Sequence, residues 1–138
     1  MKKLNVVFVF DNDFENVLMC KRKKEPFKDK YNLVGGKLED NESELDGAYR
    51  ELFEETGISK EDITIKRFMD FNYYVEDMEL QVFVGKLEKS VELVEELNEL
   101  SWQTLNQDFF DTNKFAGEGN IGHMLRIIQN DKNMLFNK

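Results

Sequence analysis

The sequence predicts an α+β domain, a mixed β-sheet with at least two helices. Two observations carry that prediction. Several runs rich in β-branched and aromatic residues are punctuated by Asp/Asn and glycine turns, and Glu42–Thr56 and Asn120–Asn130 carry apolar residues at helical spacing. The 138 residues are 41% hydrophobic, and 12 Phe, 4 Tyr and one Trp supply the volume of a core. One domain over residues 1–138 is expected.

Leu4–Phe10 reads as a strand closed by the turn Asp11-Asn12-Asp13, with Asn16–Lys21 as its hairpin partner. Arg22–Lys30 follows as a basic loop holding the only proline, Pro26. Tyr31–Val34 is a short strand closed by Gly35-Gly36. Asn41 suits the N-cap of the first helix, and Glu42 and Glu44 suit its positive end. Gly57 ends it where a glycine can adopt positive φ. Ile63–Tyr74 and Met78–Lys89 are two strands around Val75-Glu76-Asp77, and acid-rich Val91–Leu100 fits either a strand pair or a short helix. Ser101–Leu105 is a strand, and Asn120–Asn130 is the second helix.

Composition removes several functional classes. Lys and Arg number 19 against 28 Asp and Glu, a net charge of −9, which disfavours any general coating of nucleic acid. Cys20 is the only cysteine, so neither an intramolecular disulfide nor a cysteine zinc cluster can form; within Val17–Cys20 it reads as a buried, inert thiol. No apolar stretch approaches the roughly 18–20 residues of a membrane span. The N-terminal run lacks a small-residue cleavage site, so a cytoplasmic protein is expected. The single His123 falls in the second helix, as a packing or surface residue.

The first helix carries the chemistry. At about 100° per residue, Leu45, Ala48, Tyr49 and Leu52 form an apolar face suited to a sheet. Glu51, Glu54 and Glu55 share one side, flanked by Arg50, which can pair with Glu54 or Glu42. Arg50 is the only cation between Glu42 and Glu55, so the acids are not self-neutralised. Hard oxygen ligands gathered at one spot are what Mg²⁺ or Mn²⁺ requires; a merely acidic surface is the other reading of the same geometry.

The spacing goes further. Gly36, five residues, Glu42, seven residues, Arg50-Glu51-Leu52, one residue, Glu54-Glu55, one residue and Gly57-Ile58 resembles the Nudix box at every defined position. At typical residue frequencies such a match arises by chance less than about once in 10⁵. The approach Tyr31-Asn32-Leu33-Val34-Gly35-Gly36-Lys37 is similar to that of the MutT-like branch. The resemblance implies the Nudix α/β/α sandwich and a hydrolase dependent on Mg²⁺ or Mn²⁺. Such an enzyme acts on a nucleoside diphosphate linked to another group, here a nucleoside triphosphate or its oxidised form, cut to the monophosphate and pyrophosphate.

Carried over by position, Gly36 offers its backbone carbonyl to the metal, and Glu54 and Glu55 are the principal carboxylate ligands. Glu51 binds metal or helps activate the attacking water. Arg50 orients the acids, Glu42 is the peripheral partner and Gly57 is structural. Family members often add a later glutamate; Glu118 in Phe115–Asn120 is the first candidate, with Glu96 and Glu99 behind it. Arg22 and Lys37 are the expected phosphate contacts, with Lys24, Lys28 and Lys30 assigned to solubility. Tyr73 is a candidate stacking ring. Trp102, Asp108-Phe109-Phe110 and Asn113 follow the order in which the MutT-like branch places a Trp, an Asp-Phe pair and a base-reading Asn, which makes Asn113 the candidate purine reader. No segment resembles the extra motifs of coenzyme A or NADH members. An ADP-ribose or nucleotide-sugar hydrolase and a non-catalytic nucleotide sensor are the alternatives. The expected partner is a small nucleotide rather than a nucleic-acid polymer or a membrane, bound by a monomer or homodimer.

Overall fold

The computed structural model describes residues 2–95 and 97–136. Its elements are β1 (Lys2–Phe10), β2 (Asn16–Lys21), β3 (Tyr31–Asn32), β4 (Val34–Lys37), α1 (Glu44–Thr56), β5 (Ile65–Tyr73), β6 (Met78–Lys86), β7 (Leu100–Thr104), α2 (Asn120–Asn130) and α3 (Lys132–Phe136). The strands form one seven-stranded mixed sheet in which β1 runs parallel to β6 and the other pairings are antiparallel. Side chains alternate across β1. Phe8 and Phe10 enter a core closed by Ile121, Met124, Leu125 and Ile128 of α2, while Val7 and Val9 enter a second core closed by Ala48 and Leu52 of α1. The sheet is therefore sandwiched between α1 and the C-terminal helices, as expected.

One departure creates the site. Tyr31–Val34, expected as a single strand, divides at Leu33 into β3, which pairs with β2, and β4, which pairs with β1. The Asn32 Oδ1 accepts the Leu33 N–H at 2.8 Å, a local bond that competes with a continuous ladder. Correspondingly β1 meets β2 only at Phe10↔Val17, and its first half is taken by β4. A cleft opens along that division. The long strands end earlier than their hydrophobic runs, at Tyr73 and Lys86. The stretch before β7 forms neither the strand pair nor the helix expected, among its described residues. Val94 is held there by its N–H to Thr56 O at 2.9 Å. Helix α3 was not foreseen; its Phe136 packs on Phe10 and Phe14.

The first helix starts later than expected. Ser43, not Asn41, is the N-cap, its Oγ accepting the Asp46 N–H at 3.1 Å. Asn41 instead takes a left-handed turn (φ 64°), which leaves Glu42 off the helix and free to fold back on Arg50. Gly57 terminates α1 at φ 80°, donating to Phe53 O at 2.9 Å. The buried arc runs through Ala48, Leu52 and Thr56, whereas Leu45 is 43% exposed. The apolar face is thus centred closer to Glu55 than the periodicity alone placed it.

Candidate functional site

Arg50 is the hub of the acidic face. Its Nε and Nη2 bind Glu42 at 2.7 and 3.0 Å in a bidentate pair, and its Nη1 donates to Glu51 and Glu54, each at 3.0 Å. Nη2 also reaches the Lys37 carbonyl at 3.1 Å, which ties the helix to the end of β4. The Glu42 contact dominates the upward shift of the Arg50 guanidinium, and the same contact lowers the Glu42 carboxyl. Hence Arg50 is a fixed, permanently charged brace.

The remaining acids are pushed the other way. Burial raises Glu51, partly offset by its hydrogen bond from Arg50. Burial, followed by the neighbouring Glu51 charge, raises Glu55 to about 7, against a lowering hydrogen bond from the Gly35 backbone. Gly36 explains how these groups fit together. A Cβ there would lie 2.3 Å from the Glu51 carboxyl carbon, so only glycine lets that carboxyl rest on the strand.

Along the divided sheet runs a cleft of about 810 Å³. Gly35, Gly36 and Glu55 line it, as do Arg22, Lys23, Lys24 and Phe27 of the basic loop. The loop is ordered by Arg22, whose Nε donates to Pro26 O at 2.7 Å. Tyr73 and Glu118 also line the cleft, the latter between Gly117 and Gly119 in three consecutive positive-φ residues.

Most of the expected residues converge here. Arg22, Gly36, Glu55, Tyr73 and Glu118 share the cleft, with Glu51 and Glu54 on the adjoining helix face. Two substrate candidates are placed elsewhere. Lys37 pairs with Leu4, so alternation puts it on the opposite face from Gly36, and it is exposed outside the cleft lining. Asn113 is exposed in a turn where its N–H binds Asp111 Oδ1 at 2.9 Å, also outside the lining. Trp102 packs against the α1-side core. Glu99 does not line the cleft, and Glu96 lies outside the described residues. Lys24, assigned to solvent, lines the cleft because the loop folds back over it.

Sequence reasoning missed Phe27, Asn32, Asn98 and Asn120, all of which line the cleft. Asn32 lay within the motif approach and was legible there; for Asn98 there was no local signal. Cys20 is buried, as expected, and burial pushes its thiol up to about 12. His123 is exposed on α2. Among the described residues, no helix is long and apolar enough to cross a membrane.

The NUDIX domain family model matches residues 1–120. The chain belongs to the Nudix family. A curated relative, the RNA pyrophosphohydrolase of Ruthia magnifica subsp. Calyptogena magnifica, is 44% identical over 63 residues, covering 46% of this chain and 34% of that protein. Among solved structures, MutT studied from Aliivibrio salmonicida and Vibrio cholerae superposes with a TM-score of 0.71 at 19% identity, covering 94% of this chain and 98% of the other. The Francisella tularensis bifunctional NMN adenylyltransferase/ADP ribose pyrophosphatase, complexed with AMP and Mn ion, gives 0.73 at 21% identity over 94% of this chain and 41% of that one. The chain thus spans well under half of that enzyme, and about a third of the curated relative is matched.

Nudix proteins generally use divalent metals, and the donor chemistry of this Nudix chain fits such an ion. Three carboxylates and a glycine carbonyl are hard oxygen donors, and the Glu51 and Glu54 charges still raise Glu55, a repulsion that a cation would remove. Among the described residues no group of three acids converges into a ready-made cage. Arg50 engages one oxygen of Glu51 and both of Glu54, so the second Glu51 oxygen and the Glu55 carboxylate are the acidic atoms outside its grip.

Proposed function

We propose that this Nudix chain is a divalent-metal-dependent pyrophosphohydrolase. Its substrate would be a nucleoside triphosphate, oxidised or not, cut to the monophosphate and pyrophosphate. The observation that carries the reading is the cleft itself, whose lining joins Gly36 and Glu55 with Arg22, Lys23 and Lys24. An anhydride-linked polyphosphate is the ligand whose charge suits both sets of residues, the acid through a cation and the bases directly.

Gly36 through its carbonyl, and Glu51, Glu54 and Glu55 through their carboxylates, would hold Mg²⁺ or Mn²⁺, with Glu118 reaching in from its loop. Bound there, the ion neutralises phosphate oxygens and acidifies the attacking water. Arg22, Lys23 and Lys24 neutralise the rest of the polyphosphate chain. Glu51 is desolvated and lies against the Gly36 backbone, so it is placed to take the proton as water attacks phosphorus and the pyrophosphate leaves with the bridging oxygen. Arg50 keeps Glu51 and Glu54 in register throughout. Phe27 and Tyr73 offer rings, and Asn32, Asn98 and Asn120 offer amides, for the base.

The test is a panel of (d)NTPs, 8-oxo-dGTP, ADP-ribose, diadenosine polyphosphates and 5′-triphosphorylated RNA, scored for phosphate, pyrophosphate and nucleotide products. EDTA and Glu54→Gln serve as controls. Metal-dependent turnover of a triphosphate, lost in both controls, supports the reading. Preference for ADP-ribose would favour the activity in the Francisella neighbour's name, and preference for RNA that of the Ruthia relative. Saturable binding without turnover would make the chain a nucleotide sensor.

A further inference from the structure

The helix-facing side of β1 should continue as it ends. Val7 and Val9 point toward α1 and are fully buried, yet the preceding position on that face is Asn5, only 2% exposed. Its register partner on β6 is Gln81, fully buried two positions before Phe83. Two amides opposed in the interior are costly unless every polar atom is used. Here they are not. Asn5 Oδ1 accepts the Gly36 N–H at 3.0 Å and Gln81 Nε2 donates to Glu79 Oε2 at 2.7 Å. Asn5 Nδ2 and Gln81 Oε1 have no hydrogen-bond partner among the described residues. A valine or leucine at position 5 would avoid that cost, so the amide needs a reason beyond packing.

Gly36 supplies one. It is the register partner of Asn5 across β1 and β4, and opposed residues share a face. Its N–H is held by Asn5, and the next carbonyl along, that of Lys37, is held by Arg50. Between these two anchors stands the Gly36 carbonyl. The β1–β4 ladder holds the strand here, and the Asn5 side chain adds a bond at the glycine itself, where a metal-facing carbonyl is useful only if its direction is fixed.

We propose that Asn5 is a positioning residue that aims the Gly36 carbonyl at the metal, and that Gln81 sets the orientation of the Asn5 amide. The unpartnered atoms are complementary, a donor on Asn5 and an acceptor on Gln81. Paired with each other, they leave Asn5 Oδ1 as the atom facing Gly36; the flipped amide would set Nδ2 against the Gly36 N–H, donor to donor. The proposal rests on the reading of Gly36 and the box acids as metal ligands.

The experiment is Mn²⁺ binding to the substrate-free protein, followed by electron paramagnetic resonance and calorimetry. Asn5→Leu is expected to melt no lower than the parent while losing about tenfold in Mn²⁺ affinity, the scale of an outer-sphere partner. Turnover should drop through kcat with KM unchanged. Asn5→Asp keeps an acceptor for Gly36 and should recover most of the affinity. Gln81→Met should cost less than Asn5→Leu, and nothing further when combined with it. Should Asn5→Leu fail to fold, Asn5→Val, which continues the Val7 and Val9 pattern, takes its place. Parental Mn²⁺ affinity in a folded Asn5→Leu or Asn5→Val protein overturns the proposal. Glu54→Gln and Glu55→Gln are titrated alongside. If they bind Mn²⁺ weakly and Asn5→Leu does not, only the role of Asn5 falls; if they also bind like the parent, the metal-site reading itself is wrong.

Discussion

Glu55 makes the metal-free protein sensitive to pH in a direction opposite to ordinary acid denaturation. Its carboxyl is raised from the ordinary 4.5 to about 7, by burial first and by Glu51 second. A group whose folded pKa is raised binds its proton more tightly in the native state. Its favourable contribution is complete below the unfolded value and disappears as pH rises through about 7. The gap between the two values corresponds to about 3 kcal/mol, or roughly 10 °C in Tm for a domain of this size. Thermal melts in EDTA between pH 5 and 8 should therefore fall steeply for the parent protein. Glu55→Gln, which carries the uncharged shape at every pH, should flatten most of the decline, leaving a remainder from Glu51, which is also raised by burial. Below about pH 4.5 the trend reverses, because Glu42 and Asp11 have lowered pKa values and their stabilisation is lost on protonation. Adding Mg²⁺ should restore the parent at pH 8 far more than Glu55→Gln, since the ion replaces the proton among the acids. Parallel pH profiles for the two proteins in EDTA would refute the reasoning, because the penalty would then not reside at Glu55.

Other outcomes follow from the same geometry. Glu54→Gln should fold normally, its side chain being 46% exposed, while losing turnover by at least about 10²-fold at saturating substrate. Gly36→Ala should displace the Glu51 carboxyl, which lies 2.3 Å from the new Cβ position; weakened Mn²⁺ binding in calorimetry with an intact circular dichroism spectrum is the expected signature. Arg50→Lys cannot reproduce the fork that spans Glu42 and Glu51, so kcat should fall by about tenfold or more with charge conserved; unchanged kcat would remove Arg50 from the machinery.

The fold class, both principal helices, the strands and the acidic face of α1 were legible in the sequence. They depend on local period, turn residues and fixed spacing, all of which are properties of neighbouring positions. The Nudix box was legible for the same reason, since its members lie within two turns of loop and four of helix. What tertiary structure decided was which distant segments meet. The division of Tyr31–Val34 between two partner strands, which opens the cleft, depends on strand pairing across the sheet. The fold-back of the basic loop that brings in Lys24 and Phe27, and the exclusion of Lys37 and Asn113, depend on it as well. Asn5 is the sharpest instance. In the sequence it is one polar residue interrupting an apolar strand. Only the register that sets it opposite both Gly36 and Gln81 gives its amide something to hold, because hydrogen bonds across a sheet join residues that the chain itself keeps far apart.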